Sequence, residues 1–321
     1  MHSDIFHVEV VNNTNIKDWL TLLEKSPQYS PFVRDDYLEV TGFAAKNYIL
    51  YRNGNIYMGV CIPVDKNTGM PSESVPYAPY QGLLYLNEQI SYRDCHNNLE
   101  ATEFMLDYLY SESGLRQISF GNSYAVKDIR SIQWHHYHSQ EKGTYNIKVR
   151  YTSVIKNCYN CRTASKGRNL DYRYSTERYG LRIEKSQDVE DFAELYEKTF
   201  FRQNISLTDM TMRTVLGIVD LAIRKDFGKL YYATDGEGRR IDAIFVLTEH
   251  NKSYYIFGAN DPDHRKKGGG TLLLMNELVN MQNNNICEFD FIGINSPNRG
   301  DWKLSFGGMI NPYYLCTVNY H

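Results

Sequence analysis

Apolar and polar positions follow helical and strand periods in the same order in both halves of the chain. The predicted elements of the first half are helices after Asn15, over 35–42 and over 96–111, and strands over 46–52, 55–62 and 117–120. The helix after Asn15 has one apolar face, formed by Ile16, Trp19, Leu20 and Leu23. Asn53-Gly54 separates two apolar runs, which is the strongest short signal for a hairpin.

The second half repeats this order. Its predicted elements are helices after Asp188 and Thr208, strands over 229–234, 241–249 and 253–258, a helix through Leu274, Leu278 and Met281, and strands over 286–292 and 309–320. Helices packed on a mostly antiparallel sheet make an α+β fold. We therefore predict two similar domains, 1–155 and 186–321, joined by a basic connecting segment, 156–185. Two unrelated α+β domains are the alternative.

Composition is that of a soluble globular protein, with 42% hydrophobic and 23% charged residues and a net charge of −3. The chain as a whole is therefore no polyanion binder. Residues 1–11 contain no apolar signal-peptide core and no stretch is long enough for a membrane span, so we expect a cytosolic protein. The connecting segment carries an excess of cations, which favours a solvated face or a patch that meets a phosphate-bearing ligand.

Cysteine and histidine positions give a weak metal signal. Cys158 and Cys161 form a single CxxC, which is half of a zinc site, and the nearby His135, His136 and His138 have no recognisable ligand spacing. We expect an ordinary loop and no metal. Cys61 and Cys287 lie in apolar runs and are predicted to be buried thiols.

The segment 260–271, between a strand and an apolar helix, carries the strongest chemical signal. Arg265, Gly268 and Gly270 spell RxxGxG. Glycines allow backbone amides to approach a ligand, and the first turn of a helix has unpaired N–H groups that bind anions. The predicted diphosphate-binding residues are Arg265, Lys266, Lys267, Gly268, Gly269, Gly270 and Thr271. A flexible basic loop with a glycine cap is the alternative. The first half has no equivalent loop.

RxxGxG after strands and before a helix resembles the acyl-CoA loop of GNAT acetyltransferases. Further segments resemble the Fem-type branch, in which two GNAT domains are fused. These segments are 30–37, the Pro-Tyr-rich 76–82, the basic 168–180, Glu288-Phe-Asp-Phe-Ile-Gly293, and Asp301 to Gly308 with its Lys303 and Phe-Gly-Gly. The long helical arm of some Fem enzymes has no room here. The loop and the missing arm both favour acetyl-CoA or another acyl-CoA as donor.

The resemblance implies direct transfer of an acyl group to an amine acceptor. In GNATs a backbone N–H of the strand before the loop polarises the carbonyl, which here means the region 256–259. For proton transfer we predict Asp290 as general base, with a structural carboxylate as the alternative. Lys303 matches the family's lysine and is expected to pair with phosphate or developing charge, unless it is a surface lysine. Tyr255 is a candidate donor of a proton to the leaving thiolate.

The acceptor is expected to be an amino sugar or a peptide amine of envelope biosynthesis, either a small molecule or lipid-linked. It should bind in a groove between the halves, with Tyr77, Tyr80 and Gln81 as wall residues. Two other functions remain open. One is a Fem-like aminoacyltransferase that uses aminoacyl-tRNA and a peptidoglycan precursor, and the other is a non-catalytic binding module on the same fold.

Overall fold

The computed structural model describes residues 5–72, 74–157, 163–297 and 299–320. The chain divides into two compact units, Met1–Arg150 with Pro312–His321, and Tyr151–Asn311. These limits differ from the predicted ones, because most of the segment 156–185 folds within the second unit and the end of the chain belongs to the first. The predicted CxxC, Cys158 and Cys161, lies outside the described residues.

The first unit contains helices packed on antiparallel strands. Its elements are β1 (Phe6–Val10), α1 (Ile16–Lys25), α2 (Asp35–Val40), β2 (Phe43–Arg52), β3 (Asn55–Asp65), β4 (Gly82–Tyr85), α3 (Tyr92–Ser111), β5 (Gln117–Asn122) and α4 (Arg130–Trp134). Strands β1 to β4 form an antiparallel sheet in chain order. The chain leaves this unit along β6 (Asn146–Lys156) and returns along β12 (Met309–Asn319), whose end pairs antiparallel with β5.

The second unit repeats this plan. After β6 its elements are α5 (Lys166–Glu177), β7 (Arg182–Ser186), α6 (Glu190–Phe201), α7 (Asp209–Arg224), β8 (Gly228–Thr234), β9 (Arg240–Glu249), β10 (Lys252–Asn260), α8 (Gly269–Val279), β11 (Glu288–Asp290) and α9 (Arg299–Leu304). The strands lie in the order β6-β11-β10-β9-β8-β7. Strands β10 and β11 run parallel, and their neighbours pair antiparallel.

Local sequence signals account for several element boundaries. Asn53 and Gly54 both have positive φ, 50° and 74°, as the tight hairpin turn between β2 and β3 requires. The Thr208 side chain accepts a hydrogen bond from the amide of Thr211, so the predicted cap of α7 is confirmed. Cys61 is buried as predicted, whereas Cys287 is exposed because the strand predicted over 286–292 begins only at Glu288.

The buried side of α8 is the centre of the second unit's core. Leu272, Leu274 and Leu278 are at most 2% exposed and pack with Phe289 of β11 and Val246 of β9. Because α8 is buried over most of its surface, its first residue is fixed in position relative to the strands beneath it. No helix in the described ranges combines the length and the apolar character needed to cross a bilayer.

Strands β10 and β11 separate soon after they meet. They pair only from Lys252 to Tyr254 of β10, although β10 continues to Asn260. The register with β9 shifts between Tyr255 and Phe257, so Ile256 is a bulge residue. After β11 the chain turns through Ile292 and Gly293, both with positive φ (48° and 68°). We call residues 255–258 and 291–293 together the strand fork.

Candidate active site

The strand fork brings two predicted catalytic residues, Tyr255 and Lys303, close to one another. The Lys303 amine lies 5.3 Å from the centroid of the Tyr255 ring. Trp302, beside Lys303 on α9, has its ring 6.4 Å from that of Tyr255, and its Cζ2 would lie 4.0 Å from a Cβ atom at Gly270, at the start of α8. Tyr255, Trp302 and Lys303 therefore border the fork, next to the bulge at Ile256.

Asp290 holds the turn that ends β11. Its carboxylate accepts a hydrogen bond from the Thr152 hydroxyl and another from the amide of Ile292, at 2.8 Å. The Thr152 hydroxyl accepts in turn from the amide of Gly293. A β-branched residue such as Ile292 rarely adopts positive φ, so this network stabilises a strained turn. The arrangement agrees with the structural alternative for Asp290, whose carboxylate is already engaged by the protein.

Lys303 is buried rather than exposed on the surface. Its amine donates to the carbonyls of Phe291, Ile292 and Gly293, at 2.5, 2.6 and 3.2 Å. Burial, with a smaller contribution from the Arg299 guanidinium, lowers the pKa of Lys303 to about 7, and Asp290 opposes this shift. A lysine of that pKa is partly neutral near pH 7 and can accept a proton.

Tyr255 is also buried, with its hydroxyl against the Cα atom of Gly258. A side chain at Gly258 would overlap this hydroxyl, since a Cβ atom there would lie 2.0 Å from it. Burial raises the pKa of Tyr255, so the phenol remains protonated across the physiological range. The fork thus contains a hydroxyl that can donate a proton and an amine that can accept one.

The RxxGxG turn has the predicted shape, and a buried carboxyl group lies beside its first helical residues. Gly268 has φ of 76° and precedes the first residue of α8. That carboxyl group belongs to Asp242 in β9; the amides of Gly270 and Gly269 act to lower its pKa, and its Oδ2 has no hydrogen-bond partner among the described residues. Asp242 is 5% exposed, and its Oδ2 would lie 2.3 Å from a Cβ atom at Gly269. Burial raises the pKa of Asp242 well above its ordinary value.

Other side chains cover the rest of the turn. The Arg168 guanidinium donates to the Thr271 hydroxyl at 2.8 Å and pairs with Asp171 at 2.9 Å. Lys267 lies 3.5 Å from the Asp235 carboxylate. Arg265 and Lys266 are exposed. A diphosphate at this position would therefore face the Asp242 carboxyl group as well as the glycine amides.

The predicted wall residues require correction, because two of the three are in the core of the first unit. Tyr80 is 1% exposed, and its ring makes edge contacts with those of Phe32, Tyr124 and Tyr313. Gln81 is 2% exposed, and its side chain donates to the carbonyl of Ala78 at 2.6 Å. Tyr77 is half-buried, with φ of 59°, and its carbonyl accepts from the Tyr37 hydroxyl. Proline and tyrosine in this segment therefore serve packing.

Helix α5 presents alternating cations and aromatic rings on its outer side. Arg173 lies over the ring of Tyr174 at 5.5 Å, and Arg178 lies over the rings of Tyr174 and Tyr179 at 5.9 and 5.5 Å. Both arginines and Tyr174 are exposed. Guanidinium groups beside aromatic rings can bind phosphates and stack on bases. We call Arg173, Tyr174, Arg178 and Tyr179 the α5 patch.

Comparison with known proteins identifies the second half of the chain. Residues 162–304 match the family described as "Acetyltransferase (GNAT) domain". This chain contains a GNAT domain. A search of curated proteins with the sequence gave no match. The fold class predicted from the sequence is confirmed, since the chain is α+β and consists of two tandem GNAT-like domains.

Several solved structures share the Fem-type GNAT fold along the whole chain. FemX has a TM-score of 0.66 at 14% identity, with 95% of this chain and 96% of that chain covered. L-PGS from Bacillus licheniformis has a TM-score of 0.53 at 9% identity, covering 96% and 93%. A tandem GNAT protein of the clavulanic acid biosynthesis pathway, solved without acetyl-CoA, has 0.51 at 10%, covering 98% of each chain. At such identities the likeness is one of fold.

Sequence reasoning missed Asp242, the residue that changes the interpretation of the GNAT loop most. Its only signal is an aspartate in the otherwise apolar run Ile241-Asp-Ala-Ile-Phe-Val-Leu247. In the β9–β10 register, Asp242 pairs with Asn260, and Asn260 is the last residue of β10 before the loop. That register places the carboxyl group beside the first turn of α8, and register is not visible in the sequence.

Proposed function

We propose that this protein transfers an acyl group from an activated donor to an amine, and that the reaction takes place at the strand fork. The observation that carries the proposal is the separation of β10 and β11 beyond Tyr254, beside the bulge at Ile256. A bulge leaves a residue outside the ladder, so its amide is free to turn towards a carbonyl oxygen. One such donor typically contributes about 3 kcal/mol to an acyl-transfer transition state.

The chemistry requires two proton movements. The acceptor nitrogen attacks the acyl carbon, the bond to the carrier breaks, and the amine loses a proton while the leaving group gains one. Lys303, with its pKa lowered to about 7, is the candidate base, because loss of one proton turns one of its three donor positions into a lone pair. Asp290, which accepts hydrogen bonds from Thr152 and Ile292, is the alternative. Tyr255, protonated and buried at the fork, is the candidate acid.

The acceptor class rests on the Fem-type resemblance. An amino sugar or a peptide amine, free or attached to a lipid, offers the neutral primary amine that this transfer needs. Acetyl-CoA or another acyl-CoA is the first candidate donor, and the Asp242 carboxyl group lies beside the glycine amides that would hold its diphosphate.

A second candidate donor is aminoacyl-tRNA, as in Fem-type enzymes. The observation that favours it is the α5 patch, in which exposed guanidinium groups alternate with tyrosine rings on the GNAT domain. Binding to tRNA should weaken steeply with salt, and each phosphate that the protein neutralises adds about 1 to the slope. Arg173→Glu and Arg178→Glu should reduce that slope, whereas Arg213→Glu, at an exposed position on α7, should leave it unchanged.

The test combines both donors with a panel of amines. The full chain is incubated with acetyl-CoA, longer acyl-CoAs or aminoacyl-tRNA, together with glucosamine-type sugars or peptides with free amines, and products are identified by mass spectrometry. Tyr255→Phe should lower kcat with little change in KM. Tyr254→Phe is the matched control, because Tyr254 is the adjacent buried tyrosine on the opposite face of the strand.

Each outcome separates the alternatives. Product from aminoacyl-tRNA alone assigns the second donor. Product from acyl-CoA that is lost in Gly270→Val assigns acyl-CoA as the donor and the glycine turn as its binding site. A folded protein that forms no product with any donor and amine is the non-catalytic binding module.

A further inference from the structure

Three potential metal ligands meet in the first unit, whereas the strand fork belongs to the second. The ligand atoms of Asp107, His135 and His136 all lie within 4.8 Å of one another. Asp107 extends from α3, and the two histidines directly follow α4. Nδ1 of His135 is 3.9 Å from the Asp107 carboxylate, which is too far for a hydrogen bond. Two ligands of one ion, each about 2.0–2.2 Å from it, can lie up to about 4 Å apart.

The backbone is bent to bring the two rings together. His135 and His136 are consecutive, and their rings stack with centroids 3.9 Å and planes 28° apart, so coordination of one ion by both requires one ring to turn out of the stack. The stacking is achieved by a φ of 55° at His136, a left-handed conformation that non-glycine residues seldom adopt. Strained backbone of this kind concentrates at functional sites, where the surrounding structure maintains it.

In each ring one nitrogen has a hydrogen-bond partner in the protein. His136 Nδ1 lies 2.9 Å from the Gly143 carbonyl, which only accepts, so this nitrogen carries the proton and Nε2 has a lone pair. His135 Nε2 lies 3.2 Å from the Tyr320 hydroxyl, which leaves Nδ1 to face Asp107. A second-shell acceptor on the distal nitrogen is the usual arrangement of metal-binding histidines.

The surroundings match this arrangement. Gly143 has φ of 105°, and a Cβ atom there would lie 2.4 Å from the Asn319 carbonyl, so this close approach needs glycine. The Asp107 side chain is 72% exposed, which leaves one side of the cluster open to water.

We propose that Asp107, His135 and His136 bind one divalent transition-metal ion, with water completing its coordination. Imidazole and carboxylate ligands suit Zn²⁺ and its first-row neighbours. The ion would join α3 to the segment after α4 and, through the hydrogen bond of His135 to Tyr320, to the end of the chain. We infer a structural clamp for the first unit.

Metal titration of the full, untagged and metal-free chain tests this directly. Zn²⁺ should bind and raise Tm in a concentration-dependent manner, and Co²⁺ should give visible absorption bands of nitrogen and oxygen coordination. Asp107→Asn and His136→Ala should each lose one molar equivalent of bound ion. His138→Ala is the matched control, because His138 is exposed and lies outside the cluster.

The variants keep the proposal falsifiable. Asp107 is largely exposed, so Asp107→Asn should fold even where His136→Ala is destabilised by loss of ring stacking. One equivalent lost in Asp107→Asn and retained in His138→Ala supports the site, whatever else on the chain binds the ion. Equal binding in wild type and Asp107→Asn, or no binding in wild type, overturns it.

Discussion

Replacement of Lys303 by methionine should remove a specific pH dependence of stability. Burial holds the pKa of Lys303 at about 7, compared with an ordinary value of 10.5. Between these values the unfolded chain keeps the proton and the folded chain loses it, so unfolding takes up a proton. Stability of the wild type therefore rises with pH in this window, by roughly 1 kcal/mol per pH unit and by about 2–3 kcal/mol from pH 8 to pH 10.

Methionine fills a similar volume but donates no hydrogen bond. Three carbonyls lose their donor, and of these only Phe291 is fully buried, so water can reach those of Ile292 and Gly293. One buried carbonyl without a partner costs about 1–3 kcal/mol. The release of a buried amine offsets part of that cost at pH 7. The change of the stability difference with pH is therefore more decisive than its value at any single pH.

Urea titrations at pH 8, 9 and 10 measure the slope, with unfolding of the second unit followed by hydrogen exchange of peptides from β9 and β10. The stability difference between wild type and Lys303→Met should widen as pH rises, because all other titrating groups are shared. Lys225→Met, at an exposed position after α7, is the control, and its stability difference from wild type should not change with pH. A constant difference for Lys303→Met as well would show that this lysine titrates normally, and the assignment of a base would fail.

Three further substitutions test the packing of the second and first units. Gly269→Ala should destabilise by about 1–3 kcal/mol in urea titrations, because its Cβ would lie 2.3 Å from Asp242 Oδ2, whereas Gly236→Ala has open space and should be neutral. Asp242→Asn should flatten the stability profile measured by thermal unfolding above pH 4. The raised folded pKa of Asp242 stabilises the wild type fully below its ordinary pKa, and this contribution is lost as pH rises. Tyr80→Ala should lower the free energy of unfolding by about 3–5 kcal/mol in urea titrations, as expected for a large buried ring, and no effect would show that Tyr80 is exposed.

Much of the fold was predictable because its signals are local. Asn53-Gly54 specifies a tight turn by its own conformational preferences, and Thr208 caps α7 by a hydrogen bond to a residue three positions away. The order of elements, found twice, predicted two similar α+β domains, and the resemblance of the RxxGxG loop implied that they are GNAT-like. The strand predicted over 286–292 ended early because Asp290 and Lys303 stabilise a turn at Ile292, a residue whose own preference is for strands.

The site was only partly predictable because its contacts are distant in sequence. Tyr255, Lys303 and the start of α8 were expected near one another, and the structure brings them together at the fork. The burial of Tyr80 depends on rings from three other segments, including Tyr313 from the end of the chain. Tyrosine serves both cores and ligand grooves, so its type alone did not distinguish the two.

Asp242 shows why a glycine turn alone does not specify an anion site. The turn at Gly268 supplies amides and a positive φ, but their ligand is decided by whatever lies opposite them in the fold. The β9–β10 register pairs Asp242 with Asn260, so a residue from a different strand reaches the first turn of α8. A small residue at that paired position would leave only the amides facing a diphosphate, whereas Asp242 places a buried carboxyl group beside them. In chains of this fold, the residue opposite the last position of the strand before the loop therefore carries as much information about the donor as the loop's own sequence.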